Sequence, residues 1–203
     1  MTSERLLRAR AMSRRALVAT LATGAIARRA AFADPLADRF GGPFALTDHH
    51  GRRVTDADFR GRYLLIYFGF TQCVDLCPVD MPVMADALDR LGAKADQLQP
   101  LFITVDPVND TPAVLRDYVT AFHPRIVGLT GSEEEIAAVA KAYRVHRMNI
   151  PNTPAQQQHS GHSHTIDHGS LTYLMGPDGK FITLIPHGTD AARMADVIGK
   201  RLR

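Results

Sequence analysis

The 203-residue chain has 24 Lys and Arg against 21 Asp and Glu, a net charge of +3, but seven of the arginines and a single acid lie before Asp34. From Asp34 onward 17 basic residues face 20 acidic ones, a net of about −3, so the basic stripe that a nucleic-acid partner needs is missing and no nucleic acid is expected. That remainder, about 170 residues, suits one domain with one core, and no internal repeat divides it.

Residues 1–15, MTSERLLRARAMSRR, carry five arginines and lead into the apolar run ALVATLATGAIA, Ala16 to Ala27. About a dozen residues fall short of the ~20 that span a bilayer. The run closes on Ala31-Phe32-Ala33, the small-x-small pattern of a signal-peptidase site. Residues 1–33 therefore predict a signal peptide, and the Arg14-Arg15 pair resembles the twin-arginine export signal. A periplasmic location follows as the expectation for residues 34–203, with membrane association only if the segment stays uncleaved.

Phe44 to Val54 reads as a hairpin around Asp48-His49-His50-Gly51. Tyr63 to Phe70, YLLIYFGF, is a continuous apolar run that predicts a strand covered on both faces. Met81, Met84, Ala87, Leu88 and Leu91 then recur at helical spacing and stop near Gly92, with Pro82 placing the regular start near Asp80. Leu101 to Val105 predicts a second buried strand, and Thr111-Pro112 a capped helix through Phe122. Ile126 to Leu129 reads as a third strand. Ser132-Glu133-Glu134-Glu135 opens a helix running to about Tyr143, its acids at the positive end of the helix dipole. After a long polar insertion, Leu171–Met175 and Phe181–Ile185 flank the turn Gly176-Pro177-Asp178-Gly179, and a last helix covers Asp190 to Arg201. Strands alternating with helices and closing on an antiparallel hairpin predict an α/β fold: a central mixed sheet, helices on both faces and an N-terminal hairpin extension.

The stretch Thr71 to Pro78, TQCVDLCP, holds both cysteines of the chain, Cys73 and Cys77, between the first buried strand and a helix. That is the thioredoxin-like position for a reactive pair, where the positive helix end favours the thiolate. Four positions apart on one turn, the two sulfurs can converge. They suit a disulfide, for which ~5.5 Å between α-carbons is typical, or a shared grip on one soft metal such as copper(I) or zinc. Two thiolates leave a metal site incomplete. Among nine histidines, His168 in Ile166-Asp167-His168-Gly169-Ser170 stands where the chain re-enters the sheet beside the dithiol. On the residues alone a redox dithiol, a metal site and a structural disulfide all remain open.

Three motifs add to this reading. YFGFTQCVDLCP, FITVDPVNDTP and DHGSLTYLMGPDGKF resemble the YFGFTxCPDxCP, VDPxRDTP and DHSxxxYLxGPDGxF of the SCO/SenC copper-chaperone family, in the same order from about Phe44 to the C-terminus. The resemblance implies a thioredoxin-like fold with an inserted hairpin and a copper ion held by Cys73, Cys77 and His168. It implies delivery of copper to the binuclear site of cytochrome c oxidase subunit II or another copper protein, or reduction of that site's cysteines. Other periplasmic copper chaperones or thiol reductases are the further partners expected. Val74 stands where the family has proline, and Asn109 where it has arginine. The alternative reading is a metal-independent thiol–disulfide oxidoreductase using Cys73 and Cys77.

Asp106, at a strand end, either borders the site or fixes the turn at Pro107, and Asp75 reads as a solvated carboxylate. The tract Gln156 to His164 places His159, His162 and His164 close together, a composition that either collects metal weakly or forms a solvated loop. His49, His50, His123, His146 and His187 read as structural or surface residues.

Overall fold

The structure is a computed structural model that describes residues 39–73, 76–154, 164–169 and 171–203, all belonging to one compact unit. Its strands are β1 (Ala45–Asp48), β2 (Arg53–Thr55), β3 (Tyr63–Gly69), β4 (Leu98–Thr104), β5 (Val127–Thr130), β6 (Arg147–Pro151), β7 (His164–His168), β8 (Leu171–Met175) and β9 (Phe181–Pro186). The helices are α1 (Cys77–Leu91), α2 (Pro112–Phe122), α3 (Glu133–Ala142) and α4 (Ala191–Gly199).

Seven strands form one sheet in the order β2-β1-β5-β4-β3-β8-β9. β3, β4 and β5 run parallel, with helical crossovers after β3 and β4, and β8 and β9 add antiparallel neighbours. The β1–β2 hairpin joins the far edge through β5. This is the mixed α/β sheet that the alternation of elements predicts.

All seven residues of β3 are buried, because the sheet is covered on both sides. Leu64, Ile66 and Phe68 point with Leu101 and Ile103 toward Ile136 and Val139 of α3. Leu65 and Tyr67 point with Phe102 toward Met81, Met84 and Leu88 of α1, Leu115 and Val119 of α2, and Met194 and Ile198 of α4. Each such side chain contributes roughly 1.5–3 kcal/mol on leaving water, so both packed faces hold the sheet centre that carries the cysteine loop.

Local signals set the ends of the elements. Thr111 and Ser132 accept hydrogen bonds from Val114 N and Glu135 N, and Glu135 completes a capping box. The β8–β9 turn depends on Gly179, whose φ of +75° is left-handed. Two expectations need correction. Helix α1 starts at Cys77, not near Asp80, because Pro78 sits in the first turn where its missing N–H costs nothing. Pro82 deletes one bond, the one that would have reached the Pro78 carbonyl, and the buried contacts of Met81 and Met84 hold the helix through it. The polar insertion also carries structure at its two ends, which pair as the antiparallel β6–β7 ribbon, in register from Arg147↔His168 to Pro151↔His164.

Candidate metal centre

The site begins where β3 ends. Gly69 lies so close to α1 that a Cβ built on it would meet the Cys77 sulfur at 2.7 Å and the Phe102 ring at 2.9 Å. Only a residue without a side chain lets the first turn of α1 settle there. Cys77 is consequently buried, whereas Cys73, one turn earlier in sequence, is partly exposed.

The two sulfurs are not joined as a disulfide in the structure. The Cys77 backbone N–H points at the Cys73 sulfur at 3.5 Å, so the start of α1 supports negative charge on the outer thiol. A hydrogen bond to Cys73 pushes the Cys77 thiol well above the ordinary cysteine range, and burial and the charge of Cys73 push it further. Tyr67 lies beneath, its hydroxyl donating to the Cys77 sulfur at 3.9 Å. Burial first, and then the nearby Cys77 and Asp80, raise the Tyr67 pKa. The pair is thus asymmetric: an outer, partly exposed sulfur that the Cys77 N–H faces, and an inner, buried one whose thiol is held well above the ordinary cysteine range.

The loop ahead of Cys73 hangs on a residue that sequence reasoning missed. Asp110 is fully buried and accepts from Thr71 N at 3.1 Å, Thr71 Oγ1 at 2.6 Å and Thr104 Oγ1 at 2.5 Å. It ties the cysteine loop to the end of β4. Burial raises its pKa against the pull of these hydrogen bonds. Its place in the VDPVNDTP stretch was the available signal. Asp106, which the same stretch brought forward, is buried and accepts from Asn109 Nδ2 at 2.8 Å, while its carbonyl accepts from Asp110 N at 2.9 Å. Those bonds favour the turn-fixing role for Asp106.

His168 ends β7, opposite Arg147 in the ribbon. Its imidazole, the side chain of His164, and residues Val74, Asp75, His159 and His162 lie outside what the structure describes. Among the described residues no three His, Cys, Asp or Glu side chains gather as a metal cluster; of the predicted ligand set the structure places Cys73 and Cys77 side by side, each within reach of the other. Of the remaining histidines, His49 is buried and accepts from Gly128 N at 2.9 Å, a structural role as expected. His187 meets Asp80 of α1 at 2.9 Å, a pairing that sequence separation concealed.

A mixed sheet with two cysteines at the junction of a central strand and its following helix defines a thioredoxin-like dithiol domain. Comparison with known proteins narrows the class. The family model described as SCO1/SenC matches residues 33–203, and the chain belongs to that family. It is 43% identical over 162 residues to "Protein sco1" of Schizosaccharomyces pombe, covering 79% of this chain and 60% of that protein. It is 40% identical over 165 residues to the mitochondrial SCO1 homolog of Homo sapiens, covering 80% and 53%. The match thus spans little more than half the length of these curated relatives. The crystal structure of Arabidopsis thaliana ScoI with copper bound superposes with a TM-score of 0.72 at 36% identity, covering 79% of this chain and 96% of that one.

These relatives overturn one expectation. The periplasmic location inferred from residues 1–33 does not stand, because the curated relatives from human, Saccharomyces cerevisiae and Arabidopsis are mitochondrial proteins. Arginine-rich, acid-poor leaders also serve mitochondrial import, which is why the N-terminal composition pointed to export without deciding the destination.

Proposed function

We propose that residues 34–203 form a copper-handling domain, preceded by residues 1–33 as a separable leader, and that Cys73, Cys77 and His168 hold copper as cargo. The observation that carries the proposal is the asymmetric thiol pair on the first turn of α1. Two soft sulfur donors match copper(I), and the partial exposure of Cys73 leaves a recipient an approach. Binding displaces the thiol protons, the inner one included, so affinity depends on pH. The family's part in copper assembly of cytochrome c oxidase supports that enzyme's subunit II, or another copper protein, as the recipient. The domain then either delivers the ion or reduces the recipient's cysteines.

The test is a competitive copper titration of the reduced protein beside Cys73→Ser, Cys77→Ser and His168→Ala. One tight equivalent is expected in the parent. Each variant should bind more weakly by at least the ~10–100-fold that follows loss of a mere outer-shell partner. Full affinity in His168→Ala would remove His168 from the ligand set, and absence of a tight copper equivalent in the parent, together with loss of function in Cys73→Ser, would instead favour a metal-independent thiol–disulfide oxidoreductase.

A further inference from the structure

His168 is the last residue of β7, and among the described residues β7 has a single hydrogen-bonded neighbour, β6. The ribbon is separate from the seven-stranded sheet, so whatever fastens it to the domain sets where His168 begins. Ile166 is one fastening, buried in the core beside the sheet. The other is Arg147, the residue paired across the ribbon with His168 itself.

Arg147 keeps only 16% of its side chain exposed, unusual for an arginine on an outlying ribbon. Its Nε donates to the Val105 carbonyl at 2.6 Å, and its two terminal nitrogens form a fork on Glu133, with Nη2 to Oε2 at 3.0 Å. Such a bidentate pair fixes orientation as well as distance, which lysine cannot match. Glu133 is rooted in the first turn of α3, where the helix dipole favours an acid. Val105 directly follows β4, and its N–H donates to the Gly69 carbonyl at 2.8 Å. Gly69 is the residue against which the Cys77 sulfur packs. An unbroken path therefore runs from the backbone position of His168 through the Arg147 guanidinium to the seat of Cys77.

We propose that Arg147, braced by Glu133, is a positioning residue that sets the register between the His168 arm and the dithiol, and so the affinity of the copper site. The inference rests on His168 being a copper ligand. Nothing in the sequence marks it, because the acceptor Val105 and the brace Glu133 lie 42 and 14 residues away.

The experiment is a double-mutant cycle on copper affinity, measured by competition in the reduced full-length protein, with the visible band of the copper(II)–thiolate complex as a second readout. Arg147→Ala should weaken binding ~10–100-fold and shift the band, the range seen when groups orienting a ligand are removed. Arg147→Lys, which can reach one acceptor but not three, should recover part of the loss. Glu133→Gln should fall between Arg147→Ala and the parent. In a His168→Ala background Arg147→Ala should change affinity no further. An equal loss in both backgrounds would show general loosening and overturn the proposal, as would parental affinity and spectrum in Arg147→Ala. Parental affinity in His168→Ala alone would instead remove the ligand assignment on which the proposal rests.

Discussion

Replacing Gly69 by alanine tests the claim that the inner sulfur is seated against bare backbone. The new methyl would lie 2.7 Å from the Cys77 sulfur, 2.9 Å from Phe102 Cε2 and 3.0 Å from Tyr67 Cε1, where 3.4–4 Å is ordinary contact. Phe102 and Tyr67 are fully buried and flanked by β4, β8 and α1, so the sulfur and the first turn of α1 must give way. Overpacking of this kind costs about 1–3 kcal/mol. For a domain of this size each kcal/mol lowers Tm by about 2–4 °C, so reduced, metal-free Gly69→Ala should melt roughly 2–12 °C below the parent. Thermal melts should be repeated in a Cys77→Ala background, where the sulfur is absent. Relief of at least ~0.5 kcal/mol there is the expected coupling between contacting groups. The same loss in both backgrounds would mean that the rings, and not the sulfur, feel the methyl, and would refute the seating argument.

Asp110 gives a pH-dependent prediction. Its carboxyl pKa is raised in the folded domain, so its contribution to stability is fully present below the ordinary value of 3.8 and is lost as pH rises through the folded value. Denaturant melts of the parent and of Asp110→Asn should therefore diverge with falling pH in that window, the parent gaining; a constant difference would show that the carboxyl titrates normally. In the polar tract, replacing His159, His162 and His164 together should reduce the copper bound at excess metal and leave one tight equivalent. Unchanged stoichiometry at every copper concentration would assign these histidines to solvent.

Much of this was legible from residue order because the relevant forces are local. YLLIYFG announces a doubly covered strand by having no polar gap, and Thr111-Pro112 and Ser132-x-x-Glu135 announce helix starts through their own capping chemistry. What stayed hidden depends on distant partners. β6 escaped notice because Met148 and Ile150 remain exposed, so their apolar character marks no core face. Asp110 looked like one acid among several until the fold brought Thr71, 39 residues earlier, onto it. The close approach that Gly69 permits involves a sulfur eight positions later, across a strand-to-helix junction that no periodicity describes. The dithiol itself was plain, while the third donor rested on family likeness.

The burial of one sulfur and partial exposure of the other impose an order on any encounter. A second protein can touch Cys73, but Cys77, at 0% exposure, is shielded by Gly69, Tyr67 and the helix it begins. Whatever joins the two molecules, a shared ion or a mixed disulfide, must first form at the outer sulfur. Under the proposed copper-handling role the inner sulfur is the donor set furthest from a recipient, and under the oxidoreductase alternative it is the thiol placed to attack a mixed disulfide at Cys73 and release the partner's thiol.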